Sequence, residues 1–571
     1  MKKNNMETKV CKNCSKNFNI EPDDFGFYEK MGVPAPIFCP DCRLQRRLAW
    51  CNQRKLYKRT CSFSGKNIIS TYDADAPFPV YALDVWWSDV WDPLSFGMEV
   101  DFSRPFFDQL NELENKVPHR NLEGAYQTWQ RTEYANMAHA LKDCYLIYNS
   151  DYDESCMYGS EIENSQDCVD CQMLEACELC YECINCTKCN RTYFSEDCEE
   201  CHGVYFSKDC IGCTDCFGCI GLRKKSYCIW NEQYSKSEYE KKIKEMGISD
   251  RDSINKMKNE VQEFFLKNGK YKFMHGRMNM LSTGDYIYGC KNVKDSFIVR
   301  ESESCRHCMW LILGNNKDCY DFTQFGESSE RVYDSMCCGL NIQDVYFSTF
   351  VTSGSANVYY SQLCTGSSNL FGCIGIKSGK YCILNKEYTK EEYEVLVLKI
   401  IEHMKKTGEW GEFPAINFSP YAYNETSAMD YFPLTKEESL AKGYRWNDKS
   451  GNVYTSTMNG ADLPKSIDGT DESVCKEVIK CEKTGKSFKI TAQEFNLYRK
   501  LKVPVPSMHP DARHEARLQK RNSPKFYQRS CMCTNIGHLH ERDCTNEFET
   551  AYAPTRPEII YCESCYQQEV A

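Results

Sequence analysis

No apolar run in this 571-residue chain approaches the eighteen or so residues of a membrane-crossing helix. Its opening stretch, MKKNNMETKVCKNC, lacks the apolar core of a secretory leader. These absences predict a cytoplasmic protein with reduced thiols and no membrane partner. Catalytic signatures are missing as well: there is no Gly-x-Ser-x-Gly, no His-Glu-x-x-His and no dinucleotide fingerprint. Gly375-Ile376-Lys377-Ser378-Gly379-Lys380-Tyr381 approaches a phosphate loop, but it is one residue short and puts tyrosine where a hydroxyl should meet magnesium. It reads as a corner, and the expectation is a protein without enzymatic activity.

Cysteine is abundant, with 38 residues. All sixteen between Cys144 and Cys228 fall on numbers divisible by three. In rows of twelve they occupy columns one, four, seven and ten, and column two reads Tyr145, Met157, Val169, Tyr181, Tyr193, Tyr205, Phe217, Ile229. An α-helix cannot hold a three-residue lattice on one face, and a hairpin strand alternates by two. A chain that turns a corner every three residues and returns every twelve is a coil of a parallel β-solenoid. The period resembles the twelve-residue solenoids of insect antifreeze proteins, in geometry only, because the Thr-x-Thr face is missing.

The lattice recurs from Ser296 with coils of eleven to thirteen residues, and column two is again aromatic at Phe297, Tyr320, Tyr333, Tyr346, Tyr359 and Phe371. Both blocks end alike, in Phe217-Gly218-Cys219-Ile220-Gly221 and Phe371-Gly372-Cys373-Ile374-Gly375, followed by capping boxes at Ser235/Glu238 and Thr389/Glu392. Column one of the second block holds Val332, Val345, Val358 and Leu370, and column four holds Ser335, Ser348 and Ser361. A position that accepts Cys, Val, Leu or Ser is a small packing slot, since valine cannot ligate. The run Cys177, Cys180, Cys183, Cys186, Cys189 keeps an iron–sulfur or metal-storage reading, and disulfides, as alternatives. The column-two aromatics should stack outward, either under the capping helices or as a face for a protein partner.

The termini carry a second duplication. Residues 11–61 align with 481–531 without a gap, through pairs such as Phe18/Phe488, Tyr28/Tyr498, Pro40/Pro510, Arg43/Arg513 and Cys61/Cys531. After an insertion in the second copy the match resumes at Tyr72/Tyr552. Cys11, Cys14, Cys39 and Cys42 form two C-x-x-C knuckles, a spacing that suits structural zinc. The matching positions of the second copy are Cys481, Thr484, His509 and Ala512, which predicts an empty site. A later site decays the other way: Cys61, Ala82 and Val85 in the first copy face Cys531, Cys562 and Cys565 in the second. Its fourth ligand is assigned to the nearest thiol, Cys533, with His538, His540 and Cys544 as alternatives. About two Zn2+ per chain are expected, each with four protein ligands and hence structural.

Cys11-x-x-Cys14, Lys16, Phe18, Phe27-Tyr28, Gly32 and Pro36-x-x-Cys39-Pro-x-Cys42-Arg43 resemble the small bacterial zinc-binding domain of zinc-ribbon or treble-clef type, with Ser15 in place of its usual glycine. The whole chain also resembles large proteins of candidate-phylum bacteria. The resemblance implies zinc and supplies no activity.

The fold class expected is mainly β: two short parallel β-solenoid blocks flanked by small α+β zinc-binding modules and helical connectors. The boundaries are 1–100, 101–131, 132–231, 232–283, 284–385, 386–470 and 471–571, with Lys465 to Val474 as a hydrophilic linker. Net charge is −11, yet Arg43, Arg46, Arg47, Arg54, Lys55, Lys58 and Arg59 lie together with no acid among them. Arg513, Arg517, Lys520, Arg521, Lys525 and Arg529 form a second basic stretch in the other copy. Two readings stand: helix faces that grip RNA or DNA, RNA slightly favoured, or faces paired with the acidic solenoid.

Overall fold

The computed structural model describes residues 6–246, 249–449, 455–538 and 540–570. It is mostly sheet, with parallel strands dominating. Between Ala135 and Ile229, parallel neighbours are offset by twelve residues, as in Ala135↔Ile147, Gln172↔Ile184 and Thr214↔Ser226. Single bridges repeat the step elsewhere around each rung, from Lys142↔Glu154 through Glu154↔Gln166 to Gln166↔Glu178.

Every third residue is left-handed: Leu146, Asn149, Tyr152 and Ser155 have φ of 52, 51, 60 and 54°. The repeating unit is thus one residue inward, one outward and one left-handed corner. That conformation costs an L-residue roughly 1–2 kcal/mol. Accordingly none of the non-glycine corners between Arg131 and Asn231 is Val, Ile or Thr, and Asn and Asp recur at Asn149, Asn164, Asp167, Asp170 and Asp197.

The inward columns form a buried core of cysteines with Ile147, Ile162, Leu174 and Val204. Each thiol is also a weak donor: Cys156 Sγ donates to the carbonyls of Glu154 and Ser165, both at 3.5 Å. Ser335 Oγ does the same in the second stack, to Tyr333 O at 2.9 Å and Val345 O at 3.4 Å. The slot therefore takes a small side chain with a donor, or an aliphatic group of similar size. Burial pushes the Cys338 and Cys364 thiols up to about 12, so they pack as neutral groups.

The second stack runs from Gly284 to Ile383. Its steps are twelve at Phe297↔Met309, fourteen at Met309↔Thr323, thirteen at Tyr320↔Tyr333 and twelve at Leu370↔Cys382. The fourteen-residue step corrects the expected range of eleven to thirteen. The extra residues turn at Gly314 and Asn315, with φ of 78 and 57°. Cys308 consequently shares a column with Phe322 and Ser335 rather than Cys319, and Phe297 packs with Tyr286 and Trp310, outside the Tyr320–Phe371 column.

Each terminal module is two hairpin-and-helix units in series. In the first, Glu7–Val10 pairs with Asn17–Ile20, followed by helices Pro22–Met31 and Pro40–Leu48. Then Tyr57–Thr60 pairs with Asn67–Ser70, followed by Val80–Tyr81 and helix Leu83–Trp87. The C-terminal copy repeats the order from Ile479–Lys480 to helix Glu563–Val570.

The chain is interleaved. The first unit of the N-terminal module docks on the second stack, where Phe27 stacks on Tyr320 at 3.7 Å between centroids and Tyr28 lies 5.6 Å from Tyr333. The first unit of the C-terminal module docks on the first stack, with Tyr498 6.1 Å from Tyr181. The second units bind the strands that lead into the opposite stacks, Val80↔His119 before the first and Tyr271↔Ile560 before the second. Tyr181, Tyr333, Tyr346 and Phe371 of the aromatic columns are thereby buried under modules and helices, while Tyr193, Tyr205, Tyr320 and Tyr359 stay half-buried. Of the two readings, packing under covering elements is the one these contacts fit. Lys465 to Val474 is no free linker either: Ile467 and Val474 are buried in the same cluster as Tyr181.

Candidate metal centres

In the N-terminal module the hairpin turn supplies Cys11 and Cys14, while Cys39 caps helix Pro40–Leu48 and Cys42 sits in its first turn. The four sulfurs lie within 4.8 Å of one another. Cys14 and Cys39 are 3.7 Å apart, close to the edge of about 3.8 Å that a tetrahedral ion with bonds of about 2.3 Å to sulfur requires. Cys39 N donates to Cys11 Sγ at 3.2 Å. Burial pushes the Cys11 thiol up, but this amide and those of Cys14 and Asn13 outweigh it and hold the group at about 6. The Cys39 thiol is raised, first by its contact with Cys42 and then by burial, so a cation bound there would displace its proton.

The corresponding unit of the C-terminal module keeps the hairpin and helix without the ligands. Thr484 N donates to Cys481 Sγ at 3.4 Å. His509 spends Nδ1 on capping helix Pro510–Lys520, accepting from Asp511 N at 3.0 Å.

Downstream, Cys531, Cys544, Cys562 and Cys565 converge within 4.8 Å, with Cys544 and Cys562 3.9 Å apart. Burial works against the Cys562 thiolate, but the side chains of Asn546 and Ser564 bring its pKa to about 6. Cys544 replaces the expected Cys533 as fourth member, and the hairpin register explains why. Cys61 N donates to Lys66 O in the first copy, and Cys531 N to Asn546 O in the second, both at 2.8 Å. Cys544 stands where Ser64 stands, three residues before the returning strand. Counting back from the Tyr72/Tyr552 match, rather than forward from Cys531, finds it in the sequence alone. Cys533 lies in another group, with His538, His540 and Cys565.

Six of the basic residues expected to grip RNA or DNA, Arg43, Arg46, Arg47, Arg513, Arg517 and Arg521, are buried, a placement that fits the alternative of faces paired with the stacks. Arg43 meets Asp321 at 2.8 Å, with side chains 2% and 0% exposed. Arg47, fully buried, bridges Asp321 at 3.1 Å and Asp334 at 2.7 Å, and Arg46 joins Asp334 and Glu412. Arg513 and Arg517 converge on Asp170, and Arg521 on Glu161. Each module thus sets an i, i+4 arginine pair on one buried aspartate at the same left-handed column, Asp321 or Asp170. The acids lie in the stacks, hundreds of residues from the arginines they neutralise, so helix periodicity alone could not show the pairing. Lys520 pairs with Glu196 at 3.1 Å, and Arg54 and Lys55 pair with Asp511. Arg59 and Arg529 donate to the carbonyls of Asp73 and Ala553, and Lys525 lies over the Phe432 ring.

No family model matches the chain, and no curated protein matches it. Among solved structures seven chains match, one of them a candidate acetyltransferase from Desulfovibrio desulfuricans G20. That likeness has 9% identity over 39% of this chain and 66% of the other, and at a TM-score of 0.11 it supports no conclusion. No helix among the described residues is long and apolar enough to cross a membrane.

Proposed function

We propose that the protein is a non-catalytic scaffold in which zinc-stapled modules clamp two short β-solenoids together. The observation that carries the reading is the position of the first tetrad. Cys39 and Cys42 sit at the root of the helix whose next turns carry Arg43, Arg46 and Arg47, the side chains that enter the second stack. An ion there fixes the helix against its hairpin and so fixes the arginine fork against Asp321. Four thiolates in a closed tetrahedron suit zinc, which has no redox chemistry and no preferred d-electron geometry. The cysteine columns of the stacks are packing, and the cysteine-rich composition then needs no storage role.

Elemental analysis of the purified full-length chain tests this. Zinc in both modules is expected, and its removal by a chelator should expose the aromatic columns to a hydrophobic dye. Iron as the main metal, or a chain whose fold ignores chelation, would sink the proposal. The same preparation tests the polyanion reading: with its arginines spent on the stacks, the protein should show the 260/280 nm ratio of protein alone, and co-purifying RNA or DNA would restore a nucleic-acid partner.

A further inference from the structure

The insertion that separates Cys531 from Cys544 has no counterpart in the N-terminal module, and it brings three metal-binding side chains with it: Cys533, His538 and His540. Together with Cys565 their ligand atoms lie within 4.8 Å of one another. Cys533 is fully buried and its Sγ is 3.1 Å from His538 Nδ1, while Cys565 Sγ is 3.5 Å from His540 Nε2. A tetrahedral ion bound to sulfur at about 2.3 Å and to imidazole at about 2.05 Å needs mixed edges of about 3.6 Å. Both rings are also held from behind. The far nitrogen of His538 faces the Asn535 side-chain amide at 3.2 Å and Glu569 at 3.6 Å, and His540 Nδ1 contacts the carbonyl of Arg542. A carboxylate or carbonyl on the outer nitrogen orients a ligating imidazole and fixes which nitrogen carries the lone pair.

Cys565 belongs to both convergent groups. Resting on the reading that the Cys531 tetrad holds zinc, we propose that this module binds two zinc-class dications bridged by the Cys565 thiolate, the second completed by Cys533, His538 and His540. Charge favours the pair. Four thiolates on one dication leave two negative charges in a partly buried site. A second dication, adding one thiolate and two neutral imidazoles, leaves one.

Metal-free full-length protein titrated with Zn2+ should reach three ions per chain by native mass spectrometry, one from the N-terminal module and two from this one. His538→Ala with His540→Ala should lower the count by one. The wild type loaded with 113Cd2+ should show two resonances split by coupling through the shared thiolate, a readout that needs no variant. Two ions in the wild type, one in each module, would overturn the pair and leave the zinc-stapled scaffold standing. Three ions that survive the double histidine substitution, or C-terminal cadmium resonances without mutual coupling, would also overturn it. A C-terminal module that takes up no ion would instead sink the scaffold reading beneath it.

Discussion

The two terminal modules have the same order of elements and dock on their stacks through the same arginine fork, yet they keep their thiols in opposite units. In the N-terminal module the tetrad lies in the docking unit, with Cys11, Cys14, Cys39 and Cys42. In the C-terminal module it lies in the second unit, and the docking unit makes do with Cys481, Thr484, His509 and Ala512. In place of a complete tetrad, the interface there holds a buried polar cluster. Buried Glu494 accepts from Tyr158 at 2.6 Å and Tyr498 at 2.9 Å, beside the Arg513–Arg517–Asp170 cluster. The equivalent Asp24 is one carbon shorter and turns to Arg306 at 2.8 Å. A unit that packs well enough on a stack can lose its ligands and keep its shape.

The largest test of that contrast is to remove one ligand from each tetrad. Structural zinc contributes apparent folding free energy of about 10–16 kcal/mol in isolated small domains. Cys39→Ser should therefore release the docking unit from the second stack, and hydrogen exchange should show Tyr320, Tyr333 and their neighbours losing protection. Cys562→Ser should unravel only the second unit of its module and leave Tyr498 seated on the first stack. Equal loss of both docking units would break the comparison.

Next in size are the two aspartates. Removing one member of a buried pair costs roughly 3–5 kcal/mol, because the other charge stays buried. Asp170→Ala should approach that figure, since Arg517 pairs with it and Arg513 keeps, among the described residues, only the Glu494 carboxylate, at 4.0 Å. Asp321→Ala should cost less, because Arg47 retains Asp334 at 2.7 Å and Thr323 at 3.0 Å. Denaturant unfolding of the two variants measures the difference, and the reverse order would refute it.

A pH contrast should be smaller over any single pH unit. Equivalent tyrosines, Tyr72 and Tyr552, each touch a histidine, His119 at 3.3 Å and His275 at 3.2 Å. Burial holds His119 down at about 3, whereas Asp285 and Asp197 outweigh burial and lift His275 to about 10. Between pH 6.5 and 3 the unfolded chain takes up a proton that buried His119 refuses, so the N-terminal half loses stability as pH falls. Between pH 6.5 and 10 folded His275 keeps a proton the unfolded chain has released, so its contribution, complete below 6.5, is lost as pH rises. Each slope is at most about 1.4 kcal/mol per pH unit. Hydrogen exchange at reporter peptides of both halves should move in opposite directions with pH, and His119→Phe should abolish the acid arm.

The smallest effect expected compares the stacks themselves. Cys180→Val places in the first stack the residue that Val332, Val345 and Val358 already use in the second, and a volume-conserving swap should cost under about 1.5 kcal/mol. A thermal melt that shows a larger loss, or a coloured protein that bleaches on substitution, would mean that Cys180 does more than pack.

Much of the first stack was legible in the chain because its constraint is local and periodic: an inward slot every three residues admits only small side chains, whatever lies outside it. The N-terminal tetrad was legible for the same reason, since hairpin turn and helix start place C-x-x-C pairs within a few residues of each other. Cys544 was legible in principle, through the offset that resumes at Tyr552, but nearness in sequence to Cys531 favoured Cys533. The fourteen-residue step was hidden because cysteines at positions 308 and 319 mimic a shorter period.

The sequence by itself determined the three-residue lattice, the duplicated modules and the chemistry of their thiols, because backbone corners and knuckle spacing act over a dozen residues or fewer. Only the tertiary structure decided where the charged helices and aromatic columns went. Arg43 and Asp321 are 278 residues apart and Arg513 and Asp170 are 343 apart, and each arginine pays its desolvation cost only when the interleaved chain brings its aspartate to it.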